Sequence, residues 1–186
     1  VYYLLMRNMD KLMGDLFEKL SKDAMLFENM DSFGYTLLQR PLEILNIAYP
    51  TEEFEEAKLG NIENLSGIIQ NMVGKAGLSK IMKYKEERLE GESTEGNIKV
   101  RTQFDYKSSK YDKLFSRKEL HKYSAKMSNI CDIISRSEGI ILVYSQYIDG
   151  GIVPMALALE EMGFARYSSH KKMKSLLKNP GEPVDY

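Results

Sequence analysis

The hydrophobic positions in the last third of the chain predict a helix, a buried strand and a second helix, in that order. One apolar stripe recurs at helical spacing over 116–135 and consists of Tyr123, Met127, Ile130 and Ile134. An unbroken β-branched and apolar run follows over 139–145, which is typical of a strand buried on both faces of a parallel sheet. Pro154 then lies near the start of a helix that runs to about Met162.

This order predicts an α/β fold class. A glycine turn at 149–151 separates the predicted strand from the second helix, and Gly163 caps the end of that helix. Residues 164–167 predict the beginning of another strand, and alternating apolar positions over 97–107 predict one more. Helix, buried strand, glycine turn and helix together form the pattern of an α/β layer.

The first half of the chain is predicted to be mainly helical. Thr51 is a predicted N-cap with glutamates in the first turn behind it, and 64–84 predicts two short helices broken at glycines. Residues 85–100 are mostly polar, and 91–96 has the composition of a flexible loop. We therefore predict an α-helical connector over 1–96 and the truncated start of an α/β domain over 97–186.

Charge divides the chain in the same way. Residues 10–63 carry 5 basic and 12 acidic side chains, whereas 80–126 carry 13 basic and 8 acidic ones. The net charge of −1 gives no overall preference for nucleic acid or membrane, so any such preference is local. No apolar window is long enough to span a membrane, which predicts a soluble chain. Its start at Val1 and its abrupt end suggest a segment of a longer polypeptide.

Few residues are suited to metal or nucleophile chemistry. Cys131 is the single cysteine and there are two histidines, which excludes a disulfide framework and a Cys/His zinc cluster within one chain. This cysteine usage favours a reducing, intracellular setting. Neither His121 nor His170 has an identifiable partner, so we predict no catalytic residue and no metal site.

The residues after the predicted buried strand are the candidate binding site, because parallel sheets bind ligands at the carboxyl ends of their strands. They are Ser145, Gln146, Tyr147, Gly150 and Gly151. A hydroxyl, an amide and the free N–H groups of a helix start form a cradle for phosphate. The alternative is a tight turn that binds nothing.

Two other basic stretches also leave open whether they bind nucleic acid. Lysines and tyrosines over 80–126 either contact phosphates and bases or form a solvated linker, and 166–178 is a second basic run. Residues 74–80 contain glycines and lysines but lack the G-x-x-x-x-G-K-[ST] order of a nucleotide-binding loop.

Several segments resemble superfamily 2 helicases of the SNF2-like and DEAD-like type. The specific part lies within 122–164 and includes Ile140-Ile141-Leu142-Val143-Tyr144-Ser145-Gln146-Tyr147 and Gly150-Gly151-Ile152-Val153-Pro154. Residues 39–50 and 74–84 are similar to the connecting region of the same family. The nearest resemblance is to the helicase and early-transcription-factor ATPases of large nucleocytoplasmic DNA viruses.

This resemblance implies a fragment of an ATP-dependent helicase or translocase. It implies that 97–186 begins the second RecA-like domain, with a parallel sheet, and that Ser145, Gln146, Tyr147, Gly150 and Gly151 contact a DNA or RNA backbone. The full-length chain would be an ATP hydrolase that uses ATP and Mg²⁺, neither of which is expected to bind this segment alone. Its partners would be the rest of its own chain and viral transcription machinery, in a virion or viral factory.

A second function class remains open from the residues themselves. The acidic helices of the connector would suit a non-enzymatic protein-interaction module that docks a basic partner.

Overall fold

The protein is described from a computed structural model over residues 42–57, 65–88, 100–167 and 175–183. Its helices are α1 (Glu52–Ala57), α2 (Leu65–Met72), α3 (Gly74–Ile81), α4 (Ala125–Ile134) and α5 (Val153–Glu161). Its strands are β1 (Met82–Arg88) and β2 (Val100–Tyr106). Short 3₁₀ turns lie at Ser109–Tyr111 and Leu120–Lys122, and a π-helical turn at Ile148–Ile152 leads into α5.

The sheet consists of two antiparallel strands. β1 pairs with β2 in a register that runs from Met82 opposite Tyr106 to Arg88 opposite Val100. On the other edge of β2, Leu177 forms a parallel bridge with Phe104. The Phe104 N–H donates to the Leu176 carbonyl at 2.7 Å, and the Lys178 N–H donates to the Phe104 carbonyl at 2.8 Å. The fold is therefore mixed helix and strand, around an antiparallel pair with one short parallel contact.

The prediction of a buried strand over 139–145 is wrong for the described structure. The segment is extended but unpaired among the described residues, and Ile140, Leu142 and Tyr144 are 104%, 92% and 86% exposed. Val143, which points the other way, packs against the core. One face of this segment therefore lies open among the described residues.

The predicted strand over 164–167 is also wrong. These residues follow α5 as irregular chain, and Tyr167 is 90% exposed. The helix predicted over 116–135 is correct only in its second half, because 116–124 form turns and α4 starts after Ser124. The Ser124 hydroxyl accepts from the Met127 N–H at 2.9 Å, and this cap fixes the start of α4.

Other predictions are confirmed by local geometry. The Thr51 hydroxyl accepts from the Phe54 N–H at 3.2 Å and caps α1. α2 and α3 are the two short helices predicted within 64–84, and Gly74, the first residue of α3, has a φ of +53°. α5 matches the predicted second helix, and Gly163 beyond it has a φ of +97°, as a helix-ending glycine requires.

The strand predicted over 97–107 is confirmed by β2. β1 was not predicted, because 82–84 lie in the stretch predicted to form two short helices and 85–88 lie in the stretch described only as polar. The predicted loop over 91–96, the boundary between 96 and 97, and the acidic stretch before residue 42 lie outside the described residues.

One main hydrophobic core holds most of the structure together. It draws on both sides of the predicted boundary, with Tyr49 and Leu78 from one side and Phe104, Phe115 and Leu157 from the other. A smaller cluster lies beneath α1 and α2, and it consists of Ile44, Ala48, Phe54, Ile69, Met72 and Val73. Burial of these side chains is the main stabilising contribution.

Two adjacent carboxylates at the end of α5 tie the remaining pieces to this core. Buried Glu160 accepts from the N–H groups of Leu176 at 2.9 Å and Leu177 at 2.7 Å. Glu161 Oε2 accepts from the Tyr106 hydroxyl at 2.5 Å and from the Phe115 N–H at 3.1 Å. α5 thereby anchors β2, the turn at 115 and the segment 175–178.

The environment of Glu161 shifts its acid–base equilibrium. Burial raises the pKa of this carboxyl group, and the hydrogen bonds from Tyr106 and Phe115 oppose that shift only in part. The pKa of the Tyr106 hydroxyl is also raised, by burial and then by the Glu161 carboxylate. Tyr106 therefore remains a hydrogen-bond donor throughout the neutral range.

We predict that Glu160→Ala loosens the segment 175–178. The substitution leaves the N–H groups of Leu176 and Leu177 without their acceptor, which costs about 2 kcal/mol of unfolding free energy. Urea unfolding measures the loss, and amide exchange at Leu177 should become faster. Glu138→Ala, at an exposed position, is the control. Equal stability of the two variants would contradict the anchoring role of Glu160.

We predict a pH-dependent difference between the native chain and Glu161→Gln. Because the folded-state pKa of Glu161 is raised, the folded protein binds the extra proton and loses this stabilisation as pH rises from about 4 through that pKa. Glutamine does not titrate. The unfolding free energy of the native chain minus that of the variant should therefore fall with rising pH in urea titrations. A difference that stays constant or rises would contradict this assignment.

Candidate nucleic-acid interface

The predicted site residues lie in the loop that joins the extended segment to α5. The Ser145 hydroxyl accepts from the Tyr147 N–H and donates to the Tyr147 carbonyl, both at 3.1 Å. This local pairing folds the loop back on itself, as serine side chains commonly do in turns. Gln146, at the tip, is exposed. The structure therefore brings Ser145, Gln146 and Tyr147 together on one loop.

The two predicted glycines are buried inside this loop. A Cβ atom on Gly150 would lie 2.5 Å from Glu43 Oε1, and one on Gly151 would collide with the Ser145 hydroxyl. Both positions are therefore glycine because neighbouring groups approach the backbone closely. The predicted contact of their amides with nucleic acid stays a prediction, and the Glu43 carboxylate beside Gly150 opposes a second anion there.

Tyr49 fixes the position of the loop from beneath. Its hydroxyl donates to the Asp149 carbonyl at 2.7 Å, and its N–H donates to the Met72 carbonyl at 2.8 Å. Its ring packs on Gly77, where a Cβ atom would lie 2.5 Å from the ring edge. Burial, and then the charges of Asp149 and Glu43, raise the pKa of the Tyr49 hydroxyl well above its ordinary value. The hydroxyl therefore stays protonated and keeps its bond to the loop.

A small cleft of about 60 Å³ opens beside Ser145. Its polar side is formed by Asn46, Lys126 and Ser145, and its floor by the apolar side chains of Met127, Ile130, Val143 and Met155. Lys126 Nζ donates to Asn46 Oδ1 at 2.8 Å. The Ser124 hydroxyl donates to the Asn46 carbonyl, which holds the first turn of α4 against the same segment. A cation, an amide and a hydroxyl thus meet at one opening.

Sequence reasoning missed Lys126 and Asn46 as site residues. Lys126 lies at the end of the basic stretch that was singled out, but only the Ser124 cap indicates that it belongs to the first turn of α4. Asn46 is 99 positions before Ser145 in the sequence, and no local pattern connects them. Their meeting is a consequence of tertiary packing.

The other basic side chains of the 80–126 stretch are largely engaged elsewhere. Arg117 pairs with Asp132, Lys122 with Glu119 at 2.7 Å, and Lys110 approaches Glu52 at 3.9 Å. Lys107 Nζ donates to the Ser79 carbonyl at 2.5 Å. The later basic run is described only at its ends, where Lys178 pairs with Asp105 at 2.9 Å. Partial neutralisation makes these stretches weaker phosphate sites than charge counting indicates.

A larger cleft of about 410 Å³ lies beside the end of β2. It carries charges of both signs, from Asp105, Lys107, Asp112, Lys113 and Glu161. Three carboxylates at its wall oppose the binding of a polyanion, so the smaller cleft is the better candidate for nucleic acid.

No described group suits nucleophilic or metal chemistry. Cys131 is buried beside Met155, and burial raises the pKa of its thiol to about 11, so it is not a reactive thiolate. His121 is exposed, and His170 lies outside the described residues. Within the described ranges, no cluster of three or more histidine, cysteine or acidic side chains is placed to hold a metal ion. None of the helices described above has the length and apolar character needed to cross a membrane.

Comparison with known proteins adds no assignment. No protein-family model, no curated protein sequence and no solved structure matches this chain. The resemblance to superfamily 2 helicases therefore stays a prediction.

We predict that Gly150→Ala destabilises the loop and the fold. The added methyl group would press on the Glu43 side chain within a packed region, which typically costs about 1–3 kcal/mol. Gln146→Ala, at the exposed tip of the same loop, should change the unfolding free energy by less than about 0.5 kcal/mol. Thermal and urea unfolding of the two variants test this. An equal change of unfolding free energy in the two variants would refute the packing role given to Gly150.

Proposed function

We propose that this chain is part of an ATP-dependent nucleic-acid helicase or translocase, to which it contributes a contact with the nucleic-acid backbone and the beginning of the second motor domain. The observation that carries the proposal is the cleft at the end of the extended segment 140–144, where Lys126, Asn46 and Ser145 meet. The residues within 122–164 that resemble such motors include two of these three side chains.

The exposed apolar face supports the motor-domain part of the proposal. Ile140 and Leu142 are exposed on one face of the extended segment and Val143 on its other face packs on the core, while Tyr144 lies at the loop end of the segment beside the cleft. Contiguous exposed apolar surface of this kind is typically covered by further protein. Further strands and helices of a motor domain would bury it and would convert the segment into the paired strand that the sequence pattern predicts.

The chemistry of the cleft supports the nucleic-acid part. An ammonium group has three N–H donors, so Lys126 retains donors for a phosphate after its bond to Asn46. The exposed Gln146 supplies a neutral hydrogen-bond donor next to it, whereas the Ser145 hydroxyl already donates to the Tyr147 carbonyl. Contacts of this type bind the backbone of DNA or RNA without reading its sequence.

The proposal assigns no ATP site to this chain. The sequence lacks the G-x-x-x-x-G-K-[ST] loop, and the described part of the chain offers no carboxylate cluster for Mg²⁺. In the proposal, ATP and Mg²⁺ bind other parts of the motor, and no step of hydrolysis is assigned to these residues. The partners are DNA or RNA, the remaining motor chain and, by the resemblance, viral transcription machinery.

One observation favours the alternative of a non-enzymatic interaction module. Glu52, Glu53, Glu55 and Glu56 are all exposed on α1, and they form an acidic surface suited to a basic protein.

Salt-dependent binding of nucleic acid distinguishes the two functions. We expect the full chain to bind a fluorescein-labelled oligonucleotide in anisotropy titrations, with affinity that falls as salt is raised. Lys126→Gln should weaken binding about tenfold and lower the salt slope by about one.

Lys75→Gln is the matched control, because it removes the same charge at an exposed position outside the cleft. No binding, or equal losses in the two variants, would contradict the proposed interface. Binding of a polybasic peptide but of no oligonucleotide would favour the interaction module.

A further inference from the structure

We infer that the cleft beside Ser145 is a site for single-stranded nucleic acid, in which a base stacks on the Tyr144 ring while the adjoining phosphate lies at Lys126. The inference rests on the proposed nucleic-acid contact and adds the class of strand that the site accepts. It starts from Tyr144, which lines the cleft together with Lys126 and Ser145 and is nevertheless 86% exposed.

The exposure of Tyr144 makes its ring a stacking surface. It lies at the loop end of the extended segment, beside the cleft. An aromatic ring beside a cationic group is the arrangement that proteins use for unpaired bases, because every base has a face that stacks and every nucleotide carries a phosphate. Ile140 and Leu142 share the open face but lie outside the cleft lining.

The size of the cleft determines which part of a nucleotide enters it. The cleft is small, about 60 Å³, and its polar rim suits the oxygen atoms of a phosphate group. Phosphate oxygens fit there against the ammonium group of Lys126. The base must then lie outside the cleft, over the exposed ring.

Charge favours this cleft over the larger one. None of the side chains that line the small cleft in the described structure is a carboxylate, and Lys126 is its cation. The larger cleft has Asp105, Asp112 and Glu161 in its wall against Lys107 and Lys113, so its carboxylates outnumber its cations.

Stacking on Tyr144 requires an unpaired base. In a duplex the bases stack on one another and only the phosphates would reach Lys126, so a duplex gains nothing from the ring. The structure therefore predicts a preference for single strands that depends on the aromatic ring and is separate from the general attraction of Lys126 for phosphate.

The test compares the full chain with Tyr144→Ala, Tyr144→Phe and Ile148→Ala. The probes are a labelled 15-nucleotide DNA strand, its RNA counterpart and the DNA duplex, and 2-aminopurine within the single strand reports stacking by fluorescence quenching. Ile148→Ala is the matched control, because Ile148 is 68% exposed in the same region and does not line the cleft. Circular dichroism establishes that each variant is folded.

We expect Tyr144→Ala to weaken single-strand binding about fivefold to a hundredfold and to abolish the quenching, with duplex binding unchanged. Tyr144→Phe should retain both properties, because it keeps the ring. The inference is overturned if Tyr144→Ala binds single strands as Ile148→Ala does. If Lys126→Gln still weakens binding in that case, the proposed function stands without stacking. Absence of binding to every probe overturns both.

Discussion

The hydrogen bonds accepted by the adjacent carboxylates of Glu160 and Glu161 join the separate segments that pack around the main core of the described structure. A two-stranded sheet cannot by itself bury enough surface to be stable in water. α5 compensates by placing one carboxylate on the backbone of 176–177 and the other on Tyr106 and the Phe115 N–H. The contact of Glu160 holds Leu177 where it forms a parallel bridge with the edge of β2. The contact of Glu161 holds β2 and Phe115 together at the main core, which contains Phe104 and Phe115. Polar groups thereby bring together apolar pieces that are distant in the sequence.

The candidate interface depends on a second connection, made by the segment 46–49. The Ala48 N–H donates to the Tyr123 carbonyl at 3.1 Å, Asn46 contacts both Ser124 and Lys126, and Tyr49 bonds to the loop at Asp149. One short segment therefore holds the start of α4 and the loop before α5 in a fixed relation. The geometry of the cleft follows from that relation, and a change in the segment would separate Lys126 from Ser145.

Local chemistry accounts for what could be predicted from sequence. Caps and glycines act within a few residues, so Thr51 and Gly163 placed helix ends correctly, and the alternation through Phe104 placed β2. β1 was missed because Met82–Arg88 is mostly charged and gives no alternating apolar signal. The apolar run at 140–144 predicted a strand buried on both faces, but Ile140, Leu142 and Tyr144 are exposed, because a hydrophobic run carries no information about what packs on it. Asn46 and Lys126 were not found as a pair, since only tertiary packing brings them together.

The resemblance to helicase motors and the geometry of the cleft both indicate the loop after residue 144 as the candidate nucleic-acid interface, and they do so on independent grounds. The direct measurement is amide hydrogen exchange of the full chain with and without a single-stranded oligonucleotide. The account predicts slower exchange at residues 144–147 and at the first turn of α4, with little change at residues 107–118. The account would be contradicted by protection confined to 107–118, or by the absence of any protection when the oligonucleotide is bound.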